Sequence, residues 1–384
     1  MTNSIDSIYS AVEKGERLSK QDAITLYQSG ELSELSRLAH LKRLKAVPGN
    51  QVTFLIDRNI NYTNVCNSDC SFCGFYRHDP EHPESYVLSR QTIKEKIQEA
   101  LELGATRILL QGGHNDELPY QYYTDLITWL KANFPIELNC FSPSEIHQMH
   151  LVSGKDYPSI LQELKECGLD GLPGGGAEIL DDDVRRRVSP KKVNTEIWLE
   201  VMKFAHALEL TTTATMVIGL GETVEQRINH FFRLRELQDY STSRGLKGFN
   251  AFISWPLQHN ENTSMGRSRL SKNYGAQGEE YLRNAAMARL FLDNIPHHQA
   301  SWPTLGTEIG KAALYSGCDD FGSTMMEENV VSKAGALTEN KWAMSPEELQ
   351  AAITEAGFVP AQRDSSYNIL RSFDSCDSGA AVGA

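Results

Sequence analysis

No stretch of the 384 residues is apolar for long enough to span a bilayer, and the opening MTNSIDSIYS has neither a basic start nor an apolar run behind it. The expected location is the cytoplasm, with no membrane partner. Basic charge is also short: 37 Lys and Arg stand against 50 Asp and Glu, a formal charge of −13. Phosphate backbones are bound by an excess of cations, so no nucleic-acid partner is expected. A disulfide framework is missing, because seven cysteines are an odd number and unevenly spaced. Cys140, Cys167, Cys318 and Cys376 stand alone, as reduced thiols do. No G-x-G-x-x-G opens a helix after the first strand, which argues against a doubly wound dinucleotide-binding sheet.

What is present suits one large α/β enzyme. Apolar residues make up 40% and charged residues 23%, enough to bury a barrel-sized core at this length. Residues 1–50 read as a helical extension, with Ser19 and Ser33 as candidate caps and a Pro-Gly-Asn turn at 48–50. Short apolar runs then alternate with helical patterns. The strand candidates are 52–57, 106–112, 136–142, 169–172, 211–219, 248–254, 297–302 and 318–322. Eight strands separated by helices predict a (β/α)8 barrel of the TIM type, closed or partly open, over 51–345. Residues 346–373 read as a helix and an extended segment outside the barrel. The small, polar 374–384 reads as a disordered tail. Each odd cluster in the sequence follows a strand, where such barrels collect their functional residues. His297 and His298 instead open a strand, which puts them at the barrel's lower end.

The densest cluster is Asn61 to Arg77, NYTNVCNSDCSFCGFYR, which holds Cys66, Cys70 and Cys73. One loop with C-x3-C-x2-C spacing can wrap three corners of an iron–sulfur cube, leaving one iron open. The alternative is a structural zinc closed by His78, although such sites usually pair cysteines in C-x2-C knuckles.

C-x3-C-x-Φ-C, with Phe72 before the last cysteine, resembles the motif of the radical S-adenosylmethionine enzymes. That resemblance implies a [4Fe–4S] cluster on Cys66, Cys70 and Cys73, with the amino and carboxylate groups of S-adenosylmethionine on the open iron. Gln111, Gly112 and Gly113 then match the turn that meets the methionyl amine, although a simple turn reads the same. Glu178 matches the residue on the cofactor ribose, or else is a glutamate at a helix start. Glu222 matches a fifth-strand motif near adenine, or else is a first-turn cap. Phe72, Phe75 and Ser142 complete the implied cofactor-binding set.

A narrower resemblance rests on DRNINYTNVC, QGGHN, CFSPSEI, GGGAEIL and the run from His297 to Gly335. These are similar to the cyclic dehypoxanthine futalosine synthase family of the futalosine route to menaquinone. Aminofutalosine synthase and the deazaflavin-forming FO synthase subunits share the early motifs and are the alternatives. The family implies a 5′-deoxyadenosyl radical that takes hydrogen from C4′ of the substrate ribose, after which the carbon radical adds to the benzoate ring. It also implies a one-electron donor such as flavodoxin or ferredoxin. Ser301 and Glu328 are the catalytic candidates. Arg58, Thr304, Glu327 and Asn329 are the substrate-binding ones, with Arg58 either on the substrate carboxylate or in a structural ion pair.

Overall fold

The computed structural model describes residues 4–327, 329–335 and 343–373, so Glu328, Cys376 and the expected tail lie outside the described residues. Helices α1 (Ile5–Glu13), α2 (Lys20–Ser29) and α3 (Leu32–Ala46) come first. Ser4 and Ser19 cap the first two by accepting the amides of Ser7 and Asp22. Ser33 lies inside the third, whose N-cap is Glu31 with no side-chain bond.

Strands and helices then alternate. β1 (Gln51–Leu55), β2 (Asp57–Asn61), α4 (Arg90–Glu102), β3 (Arg107–Gln111), α5 (Tyr120–Asn133) and β4 (Glu137–Cys140) form the first part. Next are α6 (Pro143–Ser153), α7 (Tyr157–Cys167), β5 (Gly171–Leu172), α8 (Asp182–Val188), α9 (Thr195–Ala207) and β6 (Thr211–Ile218). α10 (Val224–Thr242), β7 (Phe249–Pro256), α11 (Gly278–Phe291), β8 (His297–Gln299), α12 (Trp302–Tyr315) and β9 (Asp320–Ser323) complete the alternation. α13 (Val330–Lys333), α14 (Pro346–Glu355), β10 (Val359–Arg363) and β11 (Ile369–Ser372) follow.

β1 and β2 are two halves of one strand broken at Ile56, and with them counted as one there are eight parallel barrel strands. The upper half pairs with β3, from Asp57 opposite Arg107 to Asn61 opposite Gln111. The lower half pairs with β9 through Thr53 and Asp320, and Arg58 bridges to Met326. The first strand therefore meets both the second and the eighth, which closes the (β/α)8 barrel. Side chains alternate along the strands. Ile60, Ile108, Leu110 and Leu138 are fully buried in the apolar layer under the helices. Asp57, Asn59, Asn61, Leu109, Gln111 and Asn139 line the lumen. Outside the barrel, α2 is tied to α11 by the buried bond from the Tyr27 hydroxyl to Asn284 Oδ1, 3.1 Å.

Most strand ends shift by a few residues from the sequence reading, and two differences bear on the site. The first strand runs on to Asn61, because its polar residues alternate into a polar lumen and give no apolar signal. The segment 346–373, a helix followed by extended chain as read, is not detached from the barrel: β10 adds to its sheet by pairing in parallel with β1, from Gln51 opposite Val359 to Phe54 opposite Gln362. The loop after β10 then turns beneath the barrel. There Asn139 and Asn250 donate to Ser365, each at 3.1 Å, and the Ser365 amide donates to Glu137 at 3.3 Å. Among the described residues no helix is long and apolar enough to cross a membrane.

Candidate active site

A cavity of about 380 Å³ runs down the lumen, and Cys66, Cys70 and Cys73 all line it. The loop that carries them is pinned by backbone bonds. The Cys66 amide donates to the Arg77 carbonyl at 2.9 Å and the Ser71 amide to Val188 at 2.8 Å. Asn64 accepts the Tyr86 amide and donates to the Glu84 carbonyl, which explains one of the loop's asparagines. Burial pushes the Cys70 thiol up to about 12 and raises Cys73 as well. Such thiols do not ionise unaided at neutral pH, so a bound cation must displace their protons.

The donor set fits a cluster better than a zinc. His78 is already engaged, with Nδ1 2.9 Å from the Cys66 carbonyl and Nε2 2.5 Å from Asp69. Among the described residues no three His, Cys, Asp or Glu side chains gather around one ion position. A tetrahedral zinc needs its sulfurs all about 2.3 Å from one point. Three cysteines that line one cavity without converging on a single ion position suit a group with several metal atoms.

Against this loop lies the glycine turn. A Cβ on Gly113 would come within 2.1 Å of the Val65 carbonyl oxygen, and one on Gly112 within 2.6 Å of the Tyr62 ring. Only glycine allows the turn to pack this tightly on the cysteine loop. The Gly112 amide donates to Glu145 at 2.9 Å, and Glu145 also accepts the hydroxyls of Tyr62 (2.9 Å) and Ser142 (2.7 Å). Burial raises Glu145 to about 7 in spite of these donors. Glu145 lines the cavity and was not a sequence candidate. Its signal was the S-x-x-E spacing of Ser142 and Glu145, a capping pattern that hid the contact across to Gly112. Gln111 lines the cavity and donates to the Phe141 carbonyl at 3.0 Å.

Glu178 stands before α8, whose cap is Asp181, so it is not a helix-start residue. Its carboxylate lines the cavity, accepts Lys192 Nζ at 2.9 Å and lies 3.6 Å from Arg185. Its Oε2 has no hydrogen-bond partner. Burial would lower Lys192, but the Glu178 carboxylate that accepts its ammonium keeps it above its usual range, as a fixed cation beside the thiols. Phe72, Phe75 and Ser142 line the same cavity. Glu222 does not: its side chain is fully buried and accepts the Gly219 amide at 2.8 Å and Arg227 Nε at 2.7 Å, bracing the turn after β6.

On the far wall Ser301 and Thr304 line the cavity at the start of α12, their hydroxyls 3.1 Å apart. The Ser301 amide donates to the Tyr281 hydroxyl at 2.7 Å. Arg58 and Glu327 are not brought into the cavity. Strand alternation turns Arg58 outward from β2, where it meets Glu99 at 2.5 Å and Glu327 at 2.8 Å, and Lys96 joins Glu327. Asn329 reaches the site only at one remove, by donating to the lining residue Asn61 at 3.1 Å. His297 sits at the lower end, stacked on Tyr367 with Nδ1 2.6 Å from Asp319.

Comparison with known proteins agrees with this geometry. Residues 60–234 match the radical SAM superfamily model, and 246–375 match the CofH/MqnC C-terminal region. A cyclic dehypoxanthine futalosine synthase of Halalkalibacterium halodurans is 46% identical over 97% of this chain and 96% of its own. An aminodeoxyfutalosine synthase of Thermus thermophilus is 37% identical over 94% and 95%. The FeFe-hydrogenase maturase HydG from Carboxydothermus hydrogenoformans shares the fold, with a TM-score of 0.73 at 18% identity over 94% of this chain and 80% of that one. The superfamily implies S-adenosylmethionine and a [4Fe–4S] cluster as cofactors. This chain belongs to the radical S-adenosylmethionine superfamily, in the family that includes the cyclic dehypoxanthine futalosine synthases.

Proposed function

We propose that this enzyme closes dehypoxanthine futalosine to its cyclic form, in the cytoplasm, as a step towards menaquinone. The observation that carries the reading is near-full-length identity of 46% to a protein of that name, against 37% to an aminodeoxyfutalosine synthase. When bound and reduced by a donor such as flavodoxin or ferredoxin, the cluster and S-adenosylmethionine supply a 5′-deoxyadenosyl radical for hydrogen abstraction at ribose C4′.

The chain's own residues hold and shield. Cys66, Cys70 and Cys73 would ligate three irons, with Lys192 fixed beside them as a compensating cation. The backbone of the Gly112–Gly113 turn, held by Glu145 and flanked by Gln111 and Ser142, would meet the methionyl end. Glu178 Oε2, which accepts no hydrogen bond from the protein although Arg185 lies 3.6 Å away, would accept a ribose hydroxyl. Phe72, Phe75, Trp255 and Leu257 wall the chamber and keep water from the reacting carbons. Ser301 and Thr304 face the substrate from α12 and orient it by hydroxyl hydrogen bonds. Glu222 acts on the adenine end only through the turn that it braces.

Substrate deuterated at C4′ tests the reaction. One deuterium should appear in 5′-deoxyadenosine, and none when unlabelled substrate reacts in deuterated water. An adenosyl adduct in place of free 5′-deoxyadenosine would show the aminofutalosine-type addition instead.

A further inference from the structure

The cavity continues down towards the start of β3 and the segment after β10, and polar atoms go unmet along this lower part. Asp57 Oδ1, Asn59 Oδ1, Arg107 Nε and the Tyr367 hydroxyl are buried without a hydrogen-bond partner. All four side chains line the cavity. Asp57 is fully buried and Asn59 is 8% exposed. Each buried polar atom left unmet costs about 1–3 kcal/mol, so a group of four points to a polar ligand.

Charge narrows the class of that ligand. Arg107 pairs with Asp57, and Arg363 pairs with Asp320 at 2.5 Å. Both cations are thus neutralised, and a carboxylate placed among them would be an uncompensated buried charge. Hydroxyl groups fit instead: two oxygens accept, one N–H donates, and a phenol does either. The phenol is held firmly. Its ring stacks on His297 with centroids 3.7 Å apart, and the Arg363 guanidinium lies 3.9 Å from its centroid. The Tyr367 backbone has φ +64°, a left-handed value that a non-glycine residue adopts only when its surroundings hold it there.

We infer that this floor, completed by the segment after β10, is a polyol subsite that takes the ring hydroxyls of a furanose. The inference rests on the proposed cyclase reaction, whose substrate carries a ribose, and it places the sugar below the cysteine wall.

Calorimetry on cluster-loaded enzyme with S-adenosylmethionine and no reductant tests it, since binding is then read without turnover. Tyr367→Phe keeps the ring stack and removes one hydroxyl, while Asn59→Ala removes an acceptor on another strand. Each should weaken dehypoxanthine futalosine binding about tenfold, with S-adenosylmethionine affinity and Tm unchanged. The loss should vanish for an analogue that lacks the 2′- or the 3′-hydroxyl. Unchanged affinity in both variants, with tight binding by wild type, would mean that the floor holds only water and would overturn the subsite alone. Wild-type enzyme that binds no dehypoxanthine futalosine would overturn the proposed reaction, and the sugar subsite with it.

Discussion

Glu145 accepts the Gly112 amide at 2.9 Å, so a carboxylate on α6 fixes the turn that packs against the cysteine loop. Burial has raised its pKa from 4.5 to about 7. The folded protein therefore holds this proton more tightly than the unfolded chain. Its contribution to stability is complete below about pH 4.5 and is lost as pH rises through about 7. Glu145→Gln should flatten that part of the stability curve, so the variant should gain on wild type between pH 5 and pH 8. Urea titrations at the two pH values measure this, on the order of 1 kcal/mol or more. The same variant should bind S-adenosylmethionine less tightly if the turn meets the cofactor.

The three thiols should behave as a set. Anaerobically reconstituted protein should carry about four irons and four sulfides per chain. Cys66→Ala, Cys70→Ala or Cys73→Ala should each abolish the visible absorption and cofactor cleavage. Cys140→Ala should keep both, with only the cost of a small buried cavity, and so should Cys167→Ala. Zinc in place of iron would refute the cluster.

Glu178→Gln should lower S-adenosylmethionine affinity about tenfold, through loss of a charge-assisted hydrogen bond. It should also lower Tm, because Lys192 and Arg185 lose their buried counter-charge. A fall in Tm with full cofactor affinity, measured well below the transition, would leave Glu178 with a structural role only.

Arg58 offers the contrast. Arg58→Ala breaks a partly buried cluster with Glu99, Glu327 and Lys96 and should cost about 1–3 kcal/mol in chemical denaturation. KM for the substrate should stay unchanged, since the side chain points away from the cavity. A raised KM at unchanged stability would restore it to the substrate carboxylate.

The barrel was legible because its strands are short apolar runs set between amphipathic helices, a pattern with two distinct periods. The cysteine loop was legible because its spacing is local. The site's other walls were harder to read. Arg58 passed as a strand-end residue because Asn59 and Asn61 face a polar lumen and break the apolar run. Glu145 was hidden inside a helix cap that also explains its position. The floor could not be read at all, since Tyr367 and Ser365 meet Arg107 and Asn139 only through the fold, more than two hundred residues apart in sequence.

The placement of β10 also bears on synthesis. β1 is among the first barrel segments made, yet both of its hydrogen-bonding neighbours, β9 and β10, are made after the other barrel strands. While the chain grows on the ribosome, that strand presents two bare edges, the kind of template on which chains pair wrongly with one another. Closure of so distant a pairing carries a loop entropy that slows the last step of assembly. The barrel's lower end also stays open until residues 359–372 arrive, so a nascent chain has a lumen without a floor. Recombinant yield should therefore depend on chaperone supply during translation more than on the stability of the finished fold.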